Sequence, residues 1–195
     1  MILSHRTAVR IRVGMLRKPE VNASGFSIVW KEHSIMIRPV CADDAAAIAA
    51  IYNHYVLNTT ISFETEALSV ESMRARIELY AAECPYFVWE EGGDVLGYAY
   101  AHRWKERAAY AHTWEVTIYL CPAACGRGIG TQLMECLISA CRAAGCRVLI
   151  ACITQENTAS CAFHRHFGFR QVSHFTQVGC KFGRLLDVVD YQLML

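Results

Sequence analysis

A glycine-rich turn within residues 118–131, between an apolar strand pattern and a helical pattern, constrains this chain more than any other feature. After the turn, apolar residues recur at steps of three and four and so share one face of a helix; they are Leu133, Met134, Leu137, Ile138 and Cys141. The first N–H groups of a helix have no partner inside it, and the helix dipole adds partial positive charge there. Because glycine has no Cβ to hold a phosphate away from the backbone, this arrangement predicts a pyrophosphate-binding site.

The spacing of Gly126, Gly128 and Gly130 excludes two common nucleotide-binding motifs. A P-loop ends in Gly-Lys-Ser or Gly-Lys-Thr, whereas here Gly130 is followed by Thr131 with no lysine. A dinucleotide fingerprint requires Gly-x-Gly-x-x-Gly, whereas this turn reads Gly-x-Gly-x-Gly. From these residues alone, a helix start with permissive glycines is the alternative to a ligand site.

Composition favours one globular domain with a sizeable core. The chain has 195 residues, 54% of them hydrophobic, and a net charge of +1, so neither a nucleic-acid-binding charge pattern nor extensive disorder is expected. Its ten cysteines include no Cys-x-x-Cys pair, and several fall in apolar segments, where a free cysteine behaves as a small hydrophobe. Cys161, His164 and His166 lie close in sequence but are too few for a zinc site, so we expect no metal.

Residues 1–34 differ from the rest of the chain. Basic residues from Arg6 to Lys18 precede the first acidic residue, Glu20, and no clear periodicity follows. We expect a loosely ordered N-terminal extension; the alternatives are a transit peptide, or an upstream or non-native start ahead of Met36. No apolar run has the length of a secretory signal or of the ~20-residue membrane span, so we expect no membrane partner.

Residues 35–195 are predicted to form a single domain of alternating strands and helices. Strands are expected at residues 35–40, 86–90, 95–102, 112–120, 148–153, 171–178 and 187–193. Helices are expected after Asp43 or Asp44, after Ser69, after the glycine turn, and at residues 157–167 before Gly168. This order indicates an α/β fold, with a central twisted mixed sheet flanked by helices.

Several motifs resemble one family of enzymes. Residues 125–130 are similar to the acetyl-CoA loop, Gln/Arg-x-x-Gly-x-Gly/Ala, of the GCN5-related N-acetyltransferase (GNAT) superfamily, except that Cys125 replaces Gln or Arg. Asn157-x-x-Ser160-x-x-x-His164 resembles the cofactor-facing helix, with histidine where tyrosine is common, as in the phosphinothricin N-acetyltransferase branch. Further matches to this branch are Asn53-His54-Tyr55, Phe63-x-Thr65-Glu66, Trp104-Lys105-x-Arg107-x-Ala109-Tyr110, Thr113-x-Glu115 and Lys181-x-Gly183-x-x-x-Asp187-Val188.

The resemblance implies that acetyl-CoA is the co-substrate and that a small amino acid is the acetyl acceptor. The implied cofactor-binding residues are Ile118, Tyr119, Leu120, Cys125, Gly126, Arg127, Gly128, Ile129, Gly130, Thr131, Asn157 and Ser160. The implied acceptor-binding residues are Phe63, Lys105, Arg107 and Tyr110. Among these, Arg107 suits a carboxylate, phosphinate or oxidised sulfur, because a guanidinium can bind an oxyanion through two hydrogen bonds. A solvated charged loop is the alternative for Lys105 and Arg107, and a core position is the alternative for Phe63.

Glu115 and His164 are the candidate catalytic residues. Period two places Glu115 on the same strand face as Thr113 and Thr117, and a carboxylate on a half-buried strand is costly without a partner. The resemblance makes Glu115 the general base, acting directly or through water; an exposed strand residue is the alternative. It places His164 near the thioester sulfur, where imidazole would protonate the thiolate or help to deprotonate the amine. A hydrogen-bonded histidine on the helix surface is the alternative.

Three functions remain open at this point. The first is N-acetylation of a free amino acid such as phosphinothricin, methionine sulfoximine or methionine sulfone. The second is acetylation of a protein N-terminus or lysine, and the third is a non-catalytic module that binds acetyl-CoA. We expect a cytoplasmic homodimer whose ligands are acetyl-CoA and a small-molecule amine, without nucleic acid, membrane or metal.

Overall fold

One mixed sheet organises the computed structural model, which describes the backbone of residues 11–21 and 28–195 and the side chains from residue 35 onward. In these ranges its nine strands are β1 (Ile11–Val21), β2 (Ile28–Pro39), β3 (Tyr86–Glu91), β4 (Asp94–Arg103), β5 (Thr113–Leu120), β6 (Val148–Thr154), β7 (Arg170–Gln171), β8 (Phe175–Lys181) and β9 (Arg184–Met194). The strand order is β1-β2-β3-β4-β5-β6-β9-β7, with β8 paired to β9. Only the β5–β6 pair among them is parallel.

Helices cover both faces of the sheet: α1 (Ala45–Asn58), α2 (Val70–Glu83), α3 (Ile129–Ala143) and α4 (Thr158–His166). On one face, α3 buries Leu133, Met134 and Leu137 in a core that also includes Cys161 of α4. On the other face, apolar side chains of α1 and α2 pack around Tyr98 of β4. The predicted α/β fold with a mixed sheet between helices is therefore confirmed.

The central strands β5 and β6 pair over only a short length. Their register joins Thr113 to Val148 and ends where Glu115 meets Ile150. Beyond this point β5 continues along β4 as far as Leu120, while β6 continues along β9. A gap therefore opens between the two parallel strands, and the β5 backbone after Glu115 has no strand partner on that side.

Two helix starts show how local and distant contacts compete. Ser69 caps α2 as predicted, since its Oγ accepts a hydrogen bond from the Ser72 N–H at 3.1 Å. Asp44 occupies the cap position of α1, but its carboxylate accepts hydrogen bonds from Arg38 at 2.7 and 2.8 Å instead. Arg38 also bonds Glu90 at 2.7 Å, and so joins β2, β3 and the start of α1.

Two predicted segments differ in the structure. The strand expected at 171–178 is interrupted: β7 ends at Gln171, β8 begins at Phe175, and Gln177 adopts a positive φ of 55° at an irregularity in the β8–β9 pairing. Within the predicted N-terminal extension, the backbone forms β1 and the first part of β2, which pair antiparallel. Residues 1–10 and 22–27 lie outside the described residues, and the domain boundary at residue 35 stays a prediction.

Candidate active site

A cavity of about 760 Å³ opens where β5 and β6 separate. Its wall is built from β4, β5 and β6, from α1, α2 and α4, and from the glycine turn before α3. The predicted site residues that line it are Phe63, Glu115, Ile118, Tyr119, Leu120, Cys125, Gly126, Gly130, Asn157, Ser160 and His164. Residues far apart in the chain, predicted for cofactor binding and for catalysis, therefore share one cavity.

The glycine turn has the geometry that the sequence predicts for an anion site. A short turn at Pro122–Ala124 follows β5, and Gly126 and Gly128 then both adopt φ of 77°, a region that favours glycine. Gly128 is the residue before α3, and no side chain caps the first amides of that helix. A Cβ at Gly126 or Gly128 would meet nothing within 4 Å, so the backbone here is open to a ligand.

The end of β5 borders the gap with its backbone. The Leu120 carbonyl accepts a hydrogen bond from the Tyr55 hydroxyl at 2.6 Å, and burial raises the pKa of Tyr55 to about 12. Tyr119 packs edge-on against Tyr52 at 5.2 Å on the α1 side, whereas Ile118 packs on the α3 side. The strand is therefore held from both faces while its edge stays accessible.

Glu115 reaches the cavity from the point where the parallel pairing ends. Its side chain is 28% exposed, and its Oε1 lies 3.9 Å from His102 Nε2 on the neighbouring strand β4. Burial raises the pKa of Glu115; a positive charge on His102 opposes this shift, and the nearby Asp190 carboxylate adds to it. A carboxylate with a raised pKa is suited to take up a proton.

His164 is buried in α4, with 4% exposure, and is not a surface histidine. Its Nδ1 lies 2.9 Å from the Ser160 carbonyl, so Nδ1 carries the hydrogen and donates it. Its buried Nε2 has no hydrogen-bond partner among the described residues, although the residue lines the cavity. Burial lowers the pKa of His164, which makes the neutral ring, with an Nε2 that accepts, the stable form.

The start of α4 presents polar groups to the same cavity. Asn157 caps this helix, because its Oδ1 accepts a hydrogen bond from the Ser160 N–H at 3.1 Å. The Ser160 hydroxyl lies 3.3 Å from His164 Nδ1, one helical turn further on. Both predicted polar residues of this helix are thus held by contacts within α4 that also orient the histidine.

The remaining predicted site residues do not line the cavity; they are Lys105, Arg107, Tyr110, Arg127, Gly128, Ile129 and Thr131. Arg127 is turned outward and forms an ion pair with Glu91 at 2.5 Å. The Lys105 ammonium lies over the Trp104 ring, 3.9 Å from its centroid, and Arg107 is exposed. Within this chain, the predicted acceptor residues of this loop are therefore not brought to Glu115.

Arg76 is a cavity residue that the sequence analysis missed. It lies on α2 and is the one arginine or lysine, among the described residues, that lines the cavity. Its Nη2 bonds Glu64 at 2.7 Å, and its guanidinium lies 5.5 Å from the centre of the Tyr52 ring. A signal was present, because Arg76 is three residues after Met73 and four before Tyr80, on the face predicted to be buried.

Two classes of site are not found in the part of the chain that the structure describes. No three His, Cys, Asp or Glu side chains group closely enough there to hold a metal ion. Likewise, none of the described helices combines the length and apolar character needed to cross a membrane.

Comparison with known proteins identifies the family. A model of the acetyltransferase (GNAT) family matches residues 48–169. The chain belongs to this family. A phosphinothricin N-acetyltransferase of Alcaligenes faecalis is 43% identical over 158 residues, which cover 80% of this chain and 80% of that protein. The protein is therefore an acyltransferase, as its motifs predicted.

Two further relatives within the GNAT family are similar over most of the chain. An L-methionine sulfoximine/L-methionine sulfone acetyltransferase of Salmonella typhimurium is 37% identical over 156 residues, covering 78% of this chain and 90% of that protein. A crystal structure of a phosphinothricin acetyltransferase from Sinorhizobium meliloti, in complex with acetyl-CoA, superposes with a TM-score of 0.80 at 37% identity. That superposition covers 83% of this chain and 88% of the other.

Proposed function

We propose that this enzyme transfers acetyl from acetyl-CoA to the α-amine of a small amino acid of the phosphinothricin, methionine sulfoximine or methionine sulfone type. The observation that carries the proposal is that a carboxylate, Glu115, and a guanidinium, Arg76, line the same cavity as the glycine turn. A base and an anion-binding group in one cavity suit a substrate that has an amine and an acidic group. Relatives named for these acceptors support the same choice.

The residues of this chain fit acetyl-CoA as the acetyl donor. The uncapped amides at the start of α3 and the positive-φ glycines Gly126 and Gly128 suit a pyrophosphate. The free edge of β5 beyond Glu115 offers backbone groups to an extended, amide-containing chain. When bound, acetyl-CoA supplies the acetyl group as a thioester. We propose that residues 118–120 and 125–131, with Asn157 and Ser160, hold it.

Glu115 and His164 are proposed to have different roles. Glu115 takes a proton from the acceptor ammonium, because its pKa is raised by burial yet it is open to the cavity. His164 keeps its Nδ1 hydrogen on the Ser160 carbonyl and is neutral, so its Nε2 accepts a hydrogen bond and does not donate one. Of the two roles left open for His164 by the sequence, help in deprotonating and positioning the amine is thus favoured.

Arg76 replaces Arg107 as the proposed anion-binding residue. Its guanidinium is bonded to Glu64 at one nitrogen, and a guanidinium has five N–H donors, so donors remain for an acceptor carboxylate. Phe63, beside Glu64, lines the same cavity and provides an apolar wall. We expect Arg76→Lys to raise the KM for the acceptor, since an ammonium cannot form the paired bonds.

The decisive experiment follows release of free thiol from acetyl-CoA with methionine sulfone, methionine sulfoximine, phosphinothricin and an N-terminal peptide as acceptors. We expect turnover with more than one of the amino acids, because pockets discriminate small shape differences only weakly. Arg76→Lys should raise the acceptor KM and leave that of acetyl-CoA unchanged, whereas the control Arg74→Lys, on the same helix, should change neither. Efficient acetylation of the peptide with no turnover of any amino acid would contradict the proposal.

We also propose that the enzyme acts as a cytoplasmic homodimer. Apolar side chains exposed on the β8–β9 hairpin support a subunit interface there; they are Phe175, Val178, Phe182 and Leu185. The cytoplasm supplies acetyl-CoA and keeps thiols such as Cys125 reduced. Light scattering after size-exclusion chromatography should give twice the chain mass of 21.9 kDa, and a mass equal to one chain would contradict the dimer.

A further inference from the structure

His102 is a second titratable residue beside the proposed base. It lies on β4 directly opposite Glu115 in the β4–β5 register, and both side chains line the cavity. Its Nε2 is 3.9 Å from Glu115 Oε1. This distance is longer than a direct hydrogen bond, but a small rotation of either side chain or one shared water molecule closes it.

The ring of His102 is held in one orientation. Its Nδ1 lies 2.9 Å from the Arg103 carbonyl, and a carbonyl only accepts, so Nδ1 carries hydrogen and Nε2 faces the carboxylate. The ring stacks on Tyr80 of α2, with centroids 5.0 Å apart and planes at 18°, and borders Tyr100 at 5.9 Å. These contacts hold the ring so that its Nε2 stays on the side of Glu115.

The charged groups around Glu115 indicate how His102 acts on it. Besides His102 on β4, the titratable groups near Glu115 are Asp190 on β9 and Cys152 on β6. Asp190 repels a second negative charge, whereas an imidazolium at His102 attracts one. Among these neighbours, His102 is therefore the group that can keep Glu115 ionised and ready to accept a proton.

We propose that His102 is the positioning residue of Glu115, and that the positive charge of His102 keeps the carboxylate ionised while Glu115 deprotonates the acceptor amine. The proposal rests on the proposed role of Glu115. An N–H bond of the ammonium breaks as an O–H bond forms on Glu115. That O–H bond then breaks as the proton passes to solvent, to which the Glu115 side chain is partly exposed. His102 keeps both of its N–H hydrogens, and its positive charge favours the return of Glu115 to the carboxylate.

The test compares pH profiles of kcat and kcat/KM, with methionine sulfoximine as the acceptor, for the wild type and two variants of His102. His102→Phe keeps a ring against Tyr80 and removes both nitrogens, and His102→Gln keeps polarity and removes the charge. Without the imidazolium, Glu115 holds its proton more tightly. We therefore expect the acidic limb of kcat/KM to move up by roughly half to one pH unit in both variants. We also expect kcat to fall about tenfold, with little change in either KM.

The matched control is His112→Phe. His112 also places Nδ1 2.9 Å from a backbone carbonyl, that of Gly145, but it does not line the cavity, so its removal should leave the profile unchanged. The double variant His102→Phe/Glu115→Gln should lose no more activity than Glu115→Gln alone, because the two residues act as one unit. The proposed pair would be wrong if the activity losses from the two substitutions multiply in the double variant. It would also be wrong if the acidic limb of kcat/KM stays in place in both His102 variants.

The outcomes separate this inference from the function on which it rests. If Glu115→Gln is inactive and the His102 variants behave like His112→Phe, Glu115 acts alone and only the pair is wrong. If Glu115→Gln keeps wild-type turnover, the base is misassigned and the pair falls with it. If no amino acid is acetylated by the wild type, the acceptor class itself is wrong.

Discussion

Glu115 and His164 line the same cavity, and their pKa values are shifted in opposite directions. Burial raises the pKa of the Glu115 carboxyl and lowers that of the His164 imidazole, so burial favours the neutral form of each. The consequences differ, because a carboxylate with a raised pKa binds a proton more readily, whereas a histidine with a lowered pKa binds one less readily. This contrast supports the proposed roles, proton uptake by Glu115 and hydrogen-bond acceptance by His164.

The variant Glu115→Gln tests the proposed role of Glu115 as the base. It keeps the shape of the side chain and removes the proton acceptor, so we expect kcat to fall by roughly 10²–10⁴-fold. The affinity for acetyl-CoA, measured by calorimetry, should stay unchanged. The control is Glu83→Gln, at a half-exposed carboxylate paired with Arg103 outside the cavity, which should keep full activity. A Gln variant with wild-type turnover would remove Glu115 from the mechanism.

The glycine turn and α3 form the element that we propose binds the pyrophosphate of acetyl-CoA. Gly128 precedes the helix with φ of 77°, whereas Gly130 lies inside its first turn. A Cβ at Gly130 would lie 3.5 Å from Phe163 and 3.6 Å from Leu120, ordinary contacts with two residues that line the cavity. The two glycines therefore differ: the backbone at Gly128 has a positive φ that favours glycine, whereas Gly130 has room for a methyl group.

Comparing Gly128→Ala with Gly130→Ala tests this division. Alanine at 128 must adopt left-handed backbone angles, so we expect the free energy of unfolding to fall by about 1–2 kcal/mol. Alanine at 130 suits a helix better than glycine and should not reduce stability. It should also leave the affinity for acetyl-CoA nearly unchanged, because the loop that residues 125–130 resemble accepts glycine or alanine at this position. Denaturant titration and calorimetry measure the two quantities, and a tenfold loss of affinity in Gly130→Ala, ~1.4 kcal/mol, would contradict the match of residues 125–130 to that loop.

Arg38 links three elements, namely β2, β3 and the start of α1. It pairs with Asp44, which is 6% exposed at the start of α1, and with Glu90 on β3. Burial alone would raise the pKa of Asp44, but hydrogen bonds from Arg38 and the Cys41 amide outweigh it and hold that pKa below the usual value. These ion pairs thus connect the sheet to the start of the first helix.

Arg38→Met should destabilise the protein by roughly 3 kcal/mol at pH 7, because it leaves a buried carboxylate without its partner. Since the folded-state pKa of Asp44 is lowered, its stabilisation is present above the unfolded value of 3.8 and is lost as pH falls through the folded value. The difference between variant and wild type should therefore shrink below about pH 4. Denaturant unfolding at pH 7 and pH 3.5 measures this, and a constant difference would contradict the role of Asp44. Arg74→Met is the control, because its partner Asp43 is 94% exposed.

The sequence predicted local structure correctly where contacts between neighbouring residues determine it. The strand, glycine turn and helix at β5 and α3 appeared because positive φ and helical periodicity are properties of neighbouring residues. The cap at Ser69 was predicted for the same reason, and period two placed Glu115 on its face. At Asp44 the same reasoning missed the true contact, because a distant arginine competes for the carboxylate.

From residue 35 onward, the amino-acid sequence correctly predicted the type of each helix and strand, except at the break between β7 and β8. Its motifs also predicted the family. Three features came from the three-dimensional structure alone: β5 and β6 separate after Glu115, Arg76 and not Arg107 lines the cavity, and His102 lies opposite Glu115. The difference arises because the two kinds of interaction act over different distances along the chain. Backbone sterics and hydrogen bonding act between neighbours, whereas the order of strands, and so which side chains meet, follows from burying both faces of one sheet between helices.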